Sequence, residues 1–188
     1  KMLGHIRQAK ADRIQLIVFP EMAVPGYLIG DEWERISFLR ECEDCGQELR
    51  AASDGLVAIF GNVGLDWKKR NEDGRVRKYN ALFVAEDGSF RGPESGLHDF
   101  VIKTLLPNYR EFDDSRHFFD LRKLALEEKR SVDALTTPVA TTLGRLGCGL
   151  CEDAWNMDYA LSPFEMLVRN GAEILINVSC SPFTLNKN

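Results

Sequence analysis

The sequence lacks several features that would place it in a particular class of protein. No run of apolar residues approaches the roughly 18 that a transmembrane helix requires, so we predict no membrane-spanning segment. There is no block of basic residues with interleaved aromatic residues, and a formal net charge of −5 disfavours a nucleic-acid surface. Residues 1–20 also lack the charged, apolar and small-residue layout of a signal peptide.

Cysteine is scarce and odd in number, with 5 in 188 residues. A chain of this length can bury a core without disulfides, so we expect free thiols in a reducing, cytoplasmic setting. Hydrophobic residues make up 44% and charged residues 28%, which indicates a folded domain. The chain starts within a helix-like pattern and stops soon after its last strand-like run, so we expect one domain, residues 1–188, that is a fragment of a longer protein.

The hydrophobic pattern alternates between buried strands and amphipathic helices. Short continuous apolar runs predict strands that need cover on both faces, and the sum is an α/β layered domain with helices outside the sheets. Asp73-Gly74 and Asp87-Gly88 are hairpin turn signals, and residues 105–119 read as a loop. The predicted helices are residues 2–12, 32–52 and 162–170, and the predicted strands are residues 14–19, 56–65, 79–85, 98–104, 139–142, 145–150 and 173–178.

Three of the predicted strands lead into a chemically reactive residue, namely Glu21, Lys103 and Cys151. Strand ends in layered α/β folds commonly present catalytic groups. A thiolate can attack an amide, a carboxylate can carry the proton to the leaving amine, and an ammonium can stabilise the oxyanion. Taken singly, Cys151 is more commonly a small core residue, Glu21 a helix-start carboxylate and Lys103 a solvated strand end.

Two other chemistries compete for the same residues. The pairs Cys42/Cys45 and Cys148/Cys151 superficially match a four-cysteine zinc site or a redox motif. The pairs are far apart in sequence, and alternation along the strand places Cys148 in the core, so we prefer the catalytic interpretation and predict no metal site. A Cys–His pair, formed by Cys151 with His98 or His117, is a further alternative.

The motifs around these residues resemble those of the nitrilase (carbon-nitrogen hydrolase) superfamily. Residues 19–27, Phe-Pro-Glu-Met-Ala-Val-Pro-Gly-Tyr, are similar to its glutamate motif. Residues 103–107, Lys-Thr-Leu-Leu-Pro, are similar to its lysine motif, and residues 151–155, Cys-Glu-Asp-Ala-Trp, to its nucleophile motif. The order glutamate, lysine, cysteine is also that of the superfamily, and three ordered motifs are far more specific than one.

Further segments resemble the glutaminase domain of glutamine-dependent NAD synthetases. These are Leu-Pro-Asn-Tyr at residues 106–109, Phe-Asp-Asp-Ser-Arg-His-Phe at 112–118 and Asn-Val-Ser-Cys-Ser-Pro-Phe at 177–183. The resemblance implies an αββα four-layer sandwich, incomplete at both ends in this chain. It also implies that glutamine is hydrolysed and that its ammonia passes to a separate synthetase domain, which is not present in this chain and amidates deamido-NAD.

The resemblance assigns roles residue by residue. It implies that Cys151 is the nucleophile, Glu21 the general base and acid, and Lys103 the oxyanion stabiliser together with the backbone N–H of Glu152. Tyr109, Glu152 and Ser181 would hold the amino-acid end of glutamine. Asp114 stands where the family often has a second glutamate, which leaves its role open.

The resemblance also predicts partners and cofactors. It implies that amide hydrolysis needs no cofactor, that ATP and Mg²⁺ belong to the synthetase domain, and that the protein forms homo-oligomers. The alternatives are a stand-alone nitrilase-type amidase or N-carbamoylase acting on another small amide, and a catalytically silent relic used for assembly. The intact glutamate, lysine and cysteine argue against the relic.

Overall fold

The computed structural model describes residues 1–71 and 73–181, and these form an alternating α/β chain. The α-helices are α1 Met2–Ala11, α2 Ile36–Ala51, α3 Asp114–His117, α4 Leu121–Glu127, α5 Val132–Leu135 and α6 Pro163–Arg169. The strands are β1 Leu16–Val18, β2 Val57–Arg70, β3 Val76–Glu86, β4 Ser89–Arg91, β5 Val101–Ile102, β6 Val139–Thr141, β7 Gly144–Leu150 and β8 Ile174–Val178. Short 3₁₀ turns cover Gly30–Glu34, Cys151–Ala154 and Asn156–Asp158.

The strands form two separate sheets within the described residues. The first has the order β1-β2-β3-β4, and β5 pairs with β3 beside β4. Its β1–β2 pair is parallel and the other pairs are antiparallel. The second sheet has the order β6-β7-β8, with an antiparallel β6–β7 pair and a parallel β7–β8 pair.

Alternation along the strands builds the layers. Val57 and Ile59 of β2 face the second sheet and pack with Leu146 and Leu150 of β7 in the central core. The residues between them face the other way, where Phe60 packs against α1 and α2. Helix α6 covers the far side of β7, close to its glycines. The order helix, sheet, sheet, helix confirms the predicted αββα sandwich.

Most predicted elements are confirmed, and the exceptions have physical causes. Strand β2 runs to Arg70 rather than to residue 65, because an antiparallel hairpin can pair charged residues such as Asp66 with Arg77 beyond the buried part of the sheet. The strand predicted over residues 98–104 shrinks to Val101–Ile102, which is the part that pairs with β3. Residues 105–119 are a loop as predicted, apart from the single turn of α3.

The helices α4 and α5 were not predicted, although their start signals are present in the sequence. The side chain of Asp120 caps α4 by accepting a hydrogen bond from the Lys123 N–H at 2.8 Å. Ser131 caps α5 in the same way through the Ala134 N–H at 3.1 Å. Both helices are too short to show a clear 3.6-residue period, so the hydrophobic periodicity did not predict them.

None of the helices among residues 1–71 and 73–181 combines the length and apolar composition needed to cross a membrane.

The strand β2 passes directly beneath the turn that follows β1, and Gly61 is the point of closest approach. A Cβ atom at Gly61 would overlap the backbone nitrogen of Met22 and would lie 2.7 Å from Glu21 Cα. The three nearest atoms all belong to the backbone of Glu21 and Met22, so there is no flexible side chain that could move away. Gly61 is therefore required by packing rather than by its backbone angles.

We expect Gly61→Ala to lower the free energy of unfolding by about 1–3 kcal/mol through overpacking. Urea unfolding followed by circular dichroism measures the change. Gly4→Ala is the matched control, because Gly4 lies in α1 with open space around it and alanine favours a helix by about 0.5–1 kcal/mol. Equal stability of the Gly61→Ala variant and the wild-type protein would contradict the packing argument.

Candidate active site

Glu21 is placed by the parallel pair β1–β2. The register continues one residue past β1, where the Phe19 N–H donates to the Ile59 carbonyl at 2.8 Å. Pro20 then turns the chain, and Gly61 N–H donates to its carbonyl at 3.2 Å. The side chain of Glu21 is consequently buried, with 1% of the residue exposed.

Donors on several elements hold the Glu21 carboxylate. Oε1 accepts hydrogen bonds from Lys103 Nζ and from Asn80 Nδ2, each at 2.8 Å. Oε2 accepts from the backbone N–H of Cys180 at 3.1 Å. A buried carboxylate needs such donors, and here the three of them fix its orientation.

Lys103 follows β5 and is fully buried, with 0% exposure. Its ammonium group donates to Glu21, to Tyr27 Oη at 3.0 Å and to Asp114 Oδ2 at 3.1 Å. An ammonium has three protons, and each has an acceptor. Burial by itself lowers the pKa of Lys103, but the carboxylates of Glu21 and Asp114 outweigh it and hold the pKa well above the usual value. The side chain is therefore a permanent cation.

Asp114 and Tyr27 form the far wall of this cluster. The Tyr27 hydroxyl donates to the Asp114 carboxylate, at 2.9 Å from Oδ2. Burial raises the pKa of Asp114, and the neighbouring Lys103 opposes that shift. Asp114 thus lies in direct contact with Lys103. The sequence had left the role of Asp114 open.

Cys151 stands at the end of β7 in a constrained backbone conformation. Its φ of +42° lies in the left-handed region, which is uncommon for a residue with a side chain. Burial and the Glu21 carboxylate raise the pKa of the thiol, whereas Lys103 and the hydroxyls of Ser179 and Ser181 lower it. The net shift is upward, so the resting thiol is protonated at neutral pH. Attack on an electrophile therefore needs a base, and Glu21 is the neighbouring carboxylate.

Glu152 lies beside the cysteine and carries a second set of contacts. Its Oε2 accepts from the Tyr109 hydroxyl and its Oε1 from the Tyr159 hydroxyl, both at 2.9 Å. Burial, followed by the Glu152 carboxylate, raises the pKa of each tyrosine to about 12. The structure thus brings Tyr109 and Glu152 together, and Ser181 contacts the Cys151 thiol. Residues 182 and 183, the end of the Ser-Pro-Phe motif, lie outside the described residues.

The alternative chemistries are not supported by the arrangement. Cys42 lies on the buried face of α2, while Cys148 lies in the core between the sheets, where burial raises its pKa to about 12. Within the described residues no group of three or more histidine, cysteine or acidic side chains could hold a metal ion. His98 stacks on Phe100 and His117 contacts Glu34, so both have partners away from the cysteine.

Several contributors to the site escaped the sequence analysis. Asn80 lies in the middle of β3. Its side-chain amide donates a hydrogen bond to Glu21, and its backbone carbonyl accepts one from the Lys103 N–H at 3.0 Å. Tyr27 and Asp153 fall within the quoted motifs, but nothing in the sequence gave them a role. Tyr159 had no signal at all. These residues are identified only by the partners that the fold gives them.

The chain matches known proteins over its whole length. A family model described as carbon-nitrogen hydrolase matches residues 1–187. The glutamine-dependent NAD(+) synthetase of Thermotoga maritima is 30% identical over 190 residues, which is 100% of this chain and 28% of that protein. The solved glutamine-dependent NAD+ synthetase from Acinetobacter baumannii has a TM-score of 0.70 and 25% identity, covering 99% of this chain and 30% of that one.

An amidase from Nesterenkonia sp. shares the fold, with a TM-score of 0.64, 14% identity and coverage of 95% of this chain and 56% of that one. The chain spans less than one third of the length of the NAD(+) synthetases that it matches. The sandwich fold, the match over residues 1–187 and the arrangement of glutamate, lysine and cysteine agree with one another. The chain therefore belongs to the carbon-nitrogen hydrolase family.

Proposed function

We propose that this chain is the glutaminase domain of a longer glutamine-dependent NAD synthetase, with Cys151 as nucleophile. The observation that carries the proposal is the fully buried Lys103–Glu21 ion pair beside the cysteine. In this proposal a synthetase domain elsewhere in the full-length protein holds ATP and Mg²⁺ and uses the ammonia to amidate deamido-NAD. The similarity to NAD(+) synthetases over the entire chain supports that division of labour.

The first chemical step is proton transfer and attack. Glu21 takes the proton of the Cys151 thiol, and the thiolate sulfur attacks the side-chain amide carbon of glutamine. The raised pKa of the thiol is the reason that a base is required at this moment. The Glu21 carboxylate is well placed for it, because its donors fix the group in one orientation.

The second requirement is charge stabilisation at the amide oxygen. Lys103 and the backbone N–H of Glu152 donate hydrogen bonds to the oxyanion of the tetrahedral intermediate. Once Glu21 is protonated, it competes less strongly for the ammonium of Lys103, just as the oxyanion forms. The Lys103 ammonium can therefore donate more strongly to the amide oxygen of the substrate when negative charge develops on that oxygen.

The remaining steps return the enzyme to its starting state. Glu21 passes its proton to the departing ammonia, and the carbon–nitrogen bond breaks to leave a thioester on Cys151. Water, deprotonated by Glu21, then attacks the thioester carbon. The carbon–sulfur bond breaks, the thiol regains a proton, and glutamate leaves.

The substrate contacts favour an amino-acid amide. The Glu152 carboxylate is buried and oriented by two tyrosine hydroxyls, and its charge suits the α-ammonium group of glutamine. Tyr109 and Ser181 would complete this end of the site. A stand-alone amidase or carbamoylase is the alternative, and the fold shared with the Nesterenkonia amidase is consistent with it. The buried carboxylate favours glutamine over an uncharged amide.

Cys151→Ala in the full-length protein should abolish glutamine hydrolysis, because no thioester can form. We expect glutamate production to fall to the background rate while the circular dichroism spectrum is retained. Cys45→Ala is the control, since Cys45 is an exposed thiol on α2 and should leave the rate unchanged. Undiminished hydrolysis in the Cys151→Ala variant would refute the assigned nucleophile.

Asp114→Asn should reduce kcat by about 10- to 100-fold, because Lys103 loses one of two carboxylates that hold its charge and position. Asp113→Asn is the matched control, because Asp113 is next to Asp114 in the sequence but its carboxylate is on the surface. Steady-state kinetics with glutamine measure both variants. If the two lose activity equally, the contact between Asp114 and Lys103 has no role in the reaction.

Glu152→Gln should raise KM for glutamine by about 10-fold or more, because the α-ammonium group loses its counter-charge. The comparison substrate is glutaramate, which is glutamine without its α-amino group and should be a poor substrate of the wild-type protein. The preference for glutamine, measured as its kcat/KM divided by that of glutaramate, should be smaller in the variant than in the wild-type protein. A wild-type protein that hydrolyses both equally well would favour the amidase alternative.

A further inference from the structure

Asp153 is a buried carboxylate with three backbone donors. Only 2% of the residue is exposed. Its Oδ1 accepts from the N–H groups of Thr104 at 3.0 Å and Leu105 at 2.8 Å, and its Oδ2 accepts from that of Leu150 at 3.1 Å. No step of the proposed mechanism uses this group, although it lies two residues from the nucleophile.

These hydrogen bonds join the two segments that deliver the reacting groups. Thr104 and Leu105 directly follow Lys103, and Leu150 directly precedes Cys151. One carboxylate therefore connects the lysine segment to the cysteine turn. The connection is needed there, because Cys151 has a positive φ that its surroundings must maintain.

A purely local role would explain only part of this geometry. The bond from the Leu150 N–H is local, because it closes the start of the 3₁₀ turn Cys151–Ala154. The bonds to Thr104 and Leu105 reach 49 and 48 residues back along the chain and contribute nothing to that turn. They connect the chain immediately after Lys103 to the turn that begins at Cys151.

Burial at this position disfavours the ionised form of the Asp153 carboxyl group. Burial raises the pKa of Asp153 to about 6, with the backbone donors and the Lys103 ammonium acting in the opposite direction. Nearby, the thiol of Cys148 on β7 has its pKa raised to about 12 by burial, and burial lowers the pKa of His98, which lines the same small cavity. Strongly perturbed carboxylates of this kind concentrate at functional sites.

We propose that Asp153 is a positioning residue for amide hydrolysis, because its ionised carboxylate sets the spacing between the Lys103 ammonium and the Cys151 thiol. This inference rests on the proposed function and adds to it a residue that touches neither substrate nor the reacting atoms. The protonated acid loses acceptor capacity toward the three N–H groups, so the connection between the two segments weakens.

The first test is Asp153→Asn in the full-length protein. An amide has one acceptor oxygen, so its NH₂ group must face at least one backbone N–H that the carboxylate accepted. We expect kcat for glutamine to fall about 100-fold, as for a small misplacement of reacting groups, with KM changed less than about threefold. The matched control is Glu86→Gln, because Glu86 is also buried and accepts the Thr142 N–H at 2.8 Å away from the site.

The pH dependence of kcat provides a second measurement, in which the wild-type protein is compared with Asp153→Asn. The ionised form of Asp153 is the active form, so kcat of the wild-type protein should be constant above and decline below a pH of about 6, the pKa of that carboxyl. Asp153→Asn should lack this acid limb and have a uniformly low kcat. An acid limb that is identical in the variant and the wild-type protein would overturn the proposal.

Alkylation of Cys151 tests positioning without any substrate. The probe is iodoacetamide, with the modified peptide quantified by mass spectrometry so that Cys45 is not confused with Cys151. The Lys103 ammonium lowers the pKa of the Cys151 thiol. If Asp153→Asn displaces Lys103 from the thiol, the midpoint of the alkylation rate–pH profile should move to higher pH. The midpoint should be unchanged in Glu86→Gln.

The two assignments can fail separately. A shifted alkylation midpoint in a protein that does not hydrolyse glutamine supports the positioning role and rejects the substrate. Normal glutamine hydrolysis with an unchanged kcat and midpoint in Asp153→Asn rejects the positioning role and leaves the proposed function intact. An equal loss of kcat in Glu86→Gln also overturns the proposal, since it would show a general effect of disturbing a buried carboxylate.

Discussion

The buried ammonium of Lys103 is the constraint on which the rest of the site depends. A cation with no access to water is stable only if nearby acceptors replace its hydration, and here Glu21, Asp114 and Tyr27 do so. Removing one partner of such a pair typically costs about 3–5 kcal/mol, because the other charge is left uncompensated. The end of β1, the end of β5 and the loop that carries α3 must therefore meet at one point in the folded state.

Strand β3 makes that meeting geometrically definite. It pairs with β2, whose close contact with the turn after β1 positions Glu21, and with β5, which leads to Lys103. Asn80 contributes to both sides, through its side chain and its backbone carbonyl. The second sheet enters from the opposite face and delivers Cys151 at the end of β7. The packed core between the sheets thus determines the relative position of the Glu21 carboxylate, the Lys103 ammonium and the Cys151 thiol.

Prediction from the sequence succeeded where the signal was local and failed where partners decided the outcome. The helix at residues 2–12, the β7 strand and the helix with Pro163 at its start were confirmed, since periodicity and end signals are contained within each segment. The extension of β2 and the shortening of β5 depended on which strand lay alongside. In the site, the motifs gave the residue types, whereas Tyr159 and Asn80 could be found only from the contacts themselves.

The sequence by itself determined the layered α/β class, the reactive residue at each strand end and the membership that the three ordered motifs indicate. Only the tertiary structure decided that Glu21 lies against Lys103 and Asn80, 82 and 59 residues away. It also decided that the segment after Lys103 is connected to the Cys151 turn through Asp153. The physical reason is that strand and helix patterns record which face of a segment is buried. They do not record which distant donor or acceptor will satisfy a charge once it is buried there.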